Sequence, residues 1–381
     1  MKFPFDSFAK LKALTPSAVK GSMLGIDMGE YKAKIVQLSL DGDVLVLDTY
    51  GEIDLGPYAD YQSRKVVRLE SEQKSDALLG LLRTVEASSR RGGISIPLSS
   101  TLISFIQTPQ RSPDQMRLLI PSEAKEYIPV PIESVILDWV VIPGNENKED
   151  AFTRVEAKKS AQPQQQEVMI IAIAKDTTHA YETMVRIAGI TAEFYEVELF
   201  SAIRSCMRGA TSPALLIDLG ASASKLCVAN RHGIPIAVHI VPAGGEAITE
   251  SIMRVCAWSF EKAEDAKHTA GLYGSSSYTP SENAAIRKAV VDVLDPIFLE
   301  ASSFIKDAIN KHEVDIGHTV LFGGGACMLG IAEYTSQQFK IHTDVAQPFG
   351  LTRTPIILED VLREVGPKFA VAIGVALRAI H

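Results

Sequence analysis

One hairpin is written twice in this chain, and that duplication limits its possible folds more than any other feature. The stretch Ala214 to Gly245, ALLIDLGASASKLCVANRHGIPIAVHIVPAGG, is an apolar strand that breaks into a tight turn of small residues and returns. LGIDMGEYKAKIVQLSLDG, beginning at Leu24, repeats its plan. Ile26 matches Ile217, Asp27 matches Asp218, Gly29 matches Gly220, Lys34 matches Lys225 and Gly42 matches Gly233, all at one constant offset. Five identities in register without a gap imply a duplicated core.

The turns have a chemistry of their own. An Asp at the end of a buried strand offers a carboxylate to a hydrated cation, and the glycine after it lets backbone N–H groups approach a phosphate. Two such turns facing each other across a cleft would clamp a nucleotide–metal complex. A chain of 381 residues exceeds the size at which one core stops growing, so two lobes are expected. A net charge of −8 with no basic stretch argues against nucleic acid as a partner.

Cys206, Cys227, Cys256 and Cys327 stand singly in apolar surroundings, without the spacing of a zinc site or redox pair, and read as buried thiols. No run of eighteen apolar residues and no signal-peptide pattern occurs, so a cytoplasmic protein is expected. The leader MKFPFDSFAKLKALTPSAVKGS sets Phe3, Phe5 and Phe8 among lysines; it reads either as a tail packed on its own domain or as a segment that lies on a membrane surface or docks on a partner.

Between the hairpins, Val44 to Tyr50 reads as strand and Ser75 to Ser88 as helix. Ile94 to Ile106 is strand material with a break near Pro97, and TPQRSPDQ marks a subdomain junction. A helix follows from Ser112 through Leu118, Ile120, Ala124 and Tyr127, then an extended IPVPIESVILDW in which Ile136 and Trp139 belong to a core. Asn145 to Gln166 is polar. Val168 to Ala174 is an apolar strand, and Thr177 to Gly189 an amphipathic helix capped by Asp176 or Thr177 and stopped by Gly189. Helices are expected over Glu246 to Phe260, Glu261 to Tyr273 and Glu282 to Lys311, then a strand at His318 to Phe322 and a closing helix in which Ala370 and Gly374 stand one turn apart.

The motifs IDMG, EAKEYIPVPIESVILDW, IDLGASAS, PAGGEAITESI, FGGGACMLGI and VGPKFAVAIGVALRAI, in this order, resemble the actin-like ATPase superfamily. The YIP-x-P and VILDW stretch and the closing GP-x-FAVAIG-x-ALR are more closely similar to the PilM family of type IV pilus assembly proteins; the phosphate turns and GGG are shared more widely, including with FtsA. The resemblance runs from about Leu24 to the C-terminus. It implies an α/β, actin-like two-lobe fold with a duplicated core, each lobe built on a five-stranded sheet, and an FtsA/PilM-like 1C insertion. Its boundaries would be a leader at 1–20, subdomain 1A at 21–107 and 191–211, 1C at 108–190, 2A at 212–247 and 318–381, and 2B at 248–317.

The resemblance also implies site residues. Asp27 and Gly29 would form the first phosphate turn, and Asp218, Gly220 and Ser224 the second, with Lys34 in the nucleotide-binding set and Asp27 and Asp218 facing Mg2+ through water. Gly244, Gly245 and Glu246 match a glycine pair before a helix, whose N-terminus favours an anion. Glu198 reads either as the carboxylate that orients a metal-bound or attacking water or as a plain first-turn glutamate, and Leu199 stands where relatives carry proline. Glu264 and Lys267 match an adenosine-contacting pair or form a surface ion pair. Gly323, Gly324 and Gly325 at a strand end suit an adenosine lying on the backbone, with Met328 beside it.

The function implied is a cytoplasmic ATP- or ADP-binding component of a type IV pilus machine, with slow or absent turnover. Its expected partner is the cytoplasmic N-terminal tail of a PilN-type inner-membrane protein, held in a groove between 1A and 1C, which would place the chain at the inner membrane. Self-association is a further expectation. An FtsA-like division protein would carry an amphipathic C-terminal anchor, whereas here the last core helix runs directly to His381; a metabolite kinase of the same superfamily would need a carboxylate base facing a sugar pocket. One departure stands out: Glu30 and Tyr31 follow the first turn where small residues are usual, placing a negative charge and a ring beside the expected phosphates.

Overall fold

The computed structural model describes residues 21–59, 66, 69–142 and 165–380, so the leader and most of the polar stretch before Val168 lie outside the described residues. In chain order the strands are β1 (Met23–Met28), β2 (Lys32–Asp41), β3 (Val44–Asp54), β4 (Arg91–Ile96), β5 (Thr101–Pro109), β6 (Val135–Ile142), β7 (Gln165–Ala174), β8 (Thr191–Val197), β9 (Ala214–Leu219), β10 (Ser224–Ala229), β11 (Pro235–Val241), β12 (His318–Phe322) and β13 (Thr343–Val345). The helices are α1 (Ser71–Thr84), α2 (Pro113–Glu123), α3 (Lys175–Ile187), α4 (Glu198–Cys206), α5 (Gly245–Cys256), α6 (Phe260–Thr269), α7 (Pro280–His312), α8 (Ile331–Phe339), α9 (Glu359–Val365) and α10 (Ala370–Ile380).

Each duplicated hairpin opens a five-stranded sheet of one plan. The first has the order β3-β2-β1-β4-β8 and the second β11-β10-β9-β12-β13. In both, an antiparallel meander leads and two parallel strands extend it beyond the first strand. β1 and β9 are buried along their whole length, which explains why each is apolar apart from its single Asp: a central strand covered on both faces has no solvent side to present.

Two compact units divide the described chain, one spanning 99–179 and the other comprising the residues before 99 and those from 180 onward. In the first unit, β5, β7 and β6 form a three-stranded antiparallel sheet. Met116, Ile120, Ala124 and Ile128 pack on Ile106, Val168, Ile170 and Ala172, with Leu137 and Trp139 at the margin. Three expectations change here. The expected boundary at 107/108 falls inside β5, which pairs with β7 from Thr101 to Pro109 and therefore belongs to this sheet. Strand alternation sends Ile136 to the face opposite Trp139, and Leu118 is solvent-exposed rather than part of the packed helix face.

In the larger unit, helix limits follow local chemistry. α1 begins four residues before the expected Ser75 because Gln73 Oε1 accepts from Glu70 N–H at 3.0 Å, closing the first turn. Thr279 and Glu282 cap α7 reciprocally, and Gly189, at φ +67°, ends the turn after α3 as expected. α10, apolar but for Arg378, was expected in the second lobe with the rest of 318–381, but it packs on β1, β2, β4 and α4. A Cβ on Gly25 would stand 1.9 Å from the Ala372 carbonyl oxygen, and one on Gly374 would stand 1.8 Å from that of Ser201. Small residues thus let α10 seat against the first sheet at backbone distance. Arg378 then reaches buried Glu196, which also accepts from Arg204 and Ser201. Among the described residues, Cys227 alone of the cysteines is fully buried, and no helix is long and apolar enough to cross a membrane.

Candidate functional site

The two glycine turns match atom for atom. Gly29 N–H donates to the Lys32 carbonyl at 3.1 Å, and Gly220 N–H donates to the Ala223 carbonyl at 3.2 Å. A Cβ at either glycine would press on that same carbonyl oxygen, at 2.8 Å and 2.7 Å respectively, so the tight closure requires glycine in both. The turns also meet each other: Ser222 Oγ in the second donates to the Glu30 carboxylate in the first. Glu30, expected to stand beside phosphate, therefore bridges the two turns.

Three buried carboxylates converge behind the turns, and each is already paired. Asp27 accepts from Ser95 Oγ at 2.9 Å and lies 3.5 Å from Lys34 Nζ. Asp218 lies 3.0 Å from Lys225 Nζ, and the same ammonium is 2.9 Å from Glu198 Oε1, which also accepts from Leu98 N–H at 2.6 Å. Burial would discharge Lys225, but Asp218 and Glu198 outweigh it and raise the ammonium's pKa. Burial pushes the Glu198 carboxyl up, opposed by Lys225 and reinforced by Asp218 and Asp27. Tyr181 is buried near the same cluster, and burial with the charges of Glu198, Asp27 and Glu30 raises its phenol.

Mg2+ was expected to face Asp27 and Asp218 through water, but each carboxylate already has a lysine ammonium beside it, Lys34 and Lys225 respectively, and this donor set does not fit a divalent cation. Lys225 Nζ, hydrogen-bonded to Asp218 and ion-paired with Glu198, already supplies positive charge between these two carboxylates.

Several residues expected on the ligand are engaged in building the second turn. Gly245 N–H and Glu246 N–H, the first amides of α5, donate to the Gly220 and Ala221 carbonyls, each at 2.9 Å. A Cβ on Gly244 would stand 2.5 Å from the Gly220 carbonyl oxygen, so the glycine pair welds the helix to the turn. Ser224 is fully buried at the start of β10 and its hydroxyl donates to the Ala243 carbonyl, so it is not the exposed phosphate hydroxyl; Ser222, two residues earlier, sits on the half-buried turn. Glu264 and Lys267 are not a surface pair. Both are buried, 2.6 Å apart, and Lys267 Nζ also donates to Thr249 Oγ1 and to the Gly245 carbonyl. Burial alone would raise Glu264, yet His268, Lys267 and Thr249 hold it at about 2.

The three glycines after β12 have separate reasons. Gly323 has φ +85° and leaves no room for a side chain against Asp218, where a Cβ would stand 2.2 Å from Oδ1. Gly325 packs on Leu219. Of the three, only Gly324 faces open space, with nothing within 4 Å of a built Cβ. Met328 is buried and lies against Gly271, while its neighbour Leu329 is exposed.

Sequence reasoning missed Ser95, Tyr181, Ser222 and the bridging role of Lys225. Only Lys225 left a signal, as the counterpart of Lys34 in the repeat: each lysine stands directly across the hairpin from its aspartate. The other three come from elements distant in sequence or from a turn residue with no pattern of its own.

Comparison with known proteins agrees with this architecture. The solved PilM-PilN type IV pilus biogenesis complex contains a similar chain at 21% identity and TM-score 0.75, covering 95% of this chain and 99% of that one. The ethanolamine utilization protein EutJ from Carboxydothermus hydrogenoformans is similar at 13% identity and TM-score 0.53, covering 98% and 94%. MreB5 of Spiroplasma citri bound to AMPPNP is similar at 11% identity and TM-score 0.52, covering 93% and 95%. These likenesses show the actin-like fold. The family model described as type IV pilus assembly protein PilM matches residues 25–380, and the chain therefore belongs to the PilM family of type IV pilus assembly proteins.

Proposed function

We propose that this chain is the actin-like, nucleotide-binding component of a type IV pilus assembly machine, and that it binds the cytoplasmic N-terminal tail of a PilN-type inner-membrane protein. The observation that carries the nucleotide reading is the pair of matched glycine turns, backed by Lys34 and Lys225 and brought together at Glu30 and Ser222. Polyphosphate lies against the turns in this reading, and adenosine lies over Gly324 with the Glu264–Lys267 pair bracing the α5 side. MreB5 was solved with AMPPNP and with ADP, which supports ATP and ADP as the ligands. The PilM-PilN complex supports the partner, and that partner holds the chain at the inner membrane from the cytoplasm. Glu198, with its Oε1 engaged by Leu98 and Lys225, is poorly placed to activate water, which favours slow turnover and a switch role.

The subdomain reading is kept with amendments at both ends of 1C, which is taken as about 99–179, and with α10 assigned to 1A. Two titrations on the full chain test the function. A fluorescent ATP analogue and a synthetic PilN-type tail should each bind saturably, with tail affinity changed by nucleotide. Absence of tail binding in every nucleotide state overturns the partner, and absence of nucleotide binding overturns the cleft.

A further inference from the structure

We propose that Lys225 is the resident cation of the second turn, so that the chain takes up nucleoside di- and triphosphates without a divalent metal. The inference rests on the nucleotide reading above. Its first support is register: Lys225 pairs with Asp218 on neighbouring antiparallel strands, so the sheet itself places the two side chains on one face. The first turn repeats the arrangement with Lys34 opposite Asp27.

The second support is geometry. Lys225 Nζ bridges Asp218 Oδ2 at 3.0 Å and Glu198 Oε1 at 2.9 Å, and Leu98 N–H holds the same Glu198 oxygen in place. A hydrated divalent ion brought to these carboxylates would meet an ammonium at close range, and two cations in a mostly buried setting repel strongly. Displacing the ammonium instead would strip a largely buried charge of both its anionic partners. A lysine has an easier course with a polyphosphate: its flexible four-carbon stem carries a point charge with three donors, so Nζ can bond a phosphate oxygen while staying beside the carboxylates. With Lys34 at the first turn, two ammonium groups then supply the counter-charge that a metal ion would otherwise bring.

The test titrates a fluorescent ATP analogue against the full chain in excess EDTA and then in excess Mg2+. The two dissociation constants should agree within about threefold. Lys225→Met, which keeps most of the stem, should weaken binding in EDTA by about tenfold, equivalent to ~1.4 kcal/mol, and Mg2+ should restore it. Lys225→Arg should keep binding metal-independent. If Lys225→Met leaves the facing carboxylates too repulsive to fold, Lys225→Met with Glu198→Gln removes one charge and carries the same expectation. A tenfold or greater loss by the unaltered chain on chelation overturns the role of Lys225 while leaving the nucleotide site intact, as does metal-independent binding by a folded Lys225→Met variant. No binding in either condition overturns the nucleotide reading itself.

Discussion

Glu30→Ser should tighten nucleotide binding, and the Glu30–Ser222 contact sets the size of the effect. That bond spans the two turns where a polyphosphate would lie, so binding must either break it or place phosphate beside a carboxylate. A hydrogen bond to a charged group contributes about 1.5–3 kcal/mol. The alternative cost is similar: two unit charges about 5 Å apart at an effective dielectric of about 20 repel by roughly 3 kcal/mol. Only one of these costs applies at a time, and both residues are half-buried, so about half survives solvent and salt. The expected gain is about 1.4 kcal/mol, or tenfold in affinity. Isothermal titration with ATP at low and moderate salt reads it directly, and a charge effect requires the larger gain at low salt. Equal or weaker affinity in a folded variant would refute the reasoning and show that Glu30 leaves the ligand's path at no cost.

Gly324→Val should weaken ATP binding by about tenfold with the melting temperature unchanged, because its side chain meets only open space in the free protein. Intact affinity would move the adenosine elsewhere. Glu196 predicts an acid dependence. Burial alone would raise its carboxyl, but Arg204 and Arg378 hold it at about 2 against an ordinary 4.5. A depressed carboxyl stabilises the fold above its unfolded pKa and loses that contribution as pH falls from about 4.5 to about 2, here about 3 kcal/mol. Denaturant unfolding should therefore lose stability more steeply over that range in the unaltered chain than in Glu196→Gln; parallel curves would show that the two arginines do not hold the carboxylate down.

What the sequence determined by itself is what a short stretch of chain decides. The constant offset of the two hairpins marked two sheets of one plan, because an Asp-x-Gly turn between apolar strands closes on its own neighbours: Gly29 on Lys32, Gly220 on Ala223. The same local register set Lys34 opposite Asp27 and Lys225 opposite Asp218. The reciprocal cap on α7 and the glycine stop after α3 are equally local. Other features depended on which distant surfaces came together. Ser224 and Ser222 look alike in the sequence, but packing buries one on Ala243 and leaves the other facing Glu30. The amides of α5 read as an anion site until the fold brings the Gly220 and Ala221 carbonyls against them. Glu198 opens the helix after the last strand of the first sheet while Lys225 lies in the second sheet, and α10, which follows the second sheet in the chain, packs on the first because Gly25 and Gly374 permit contact at backbone distance. A buried polar group takes whichever partner close packing leaves within reach, so its role is settled by long-range contacts that no local pattern encodes.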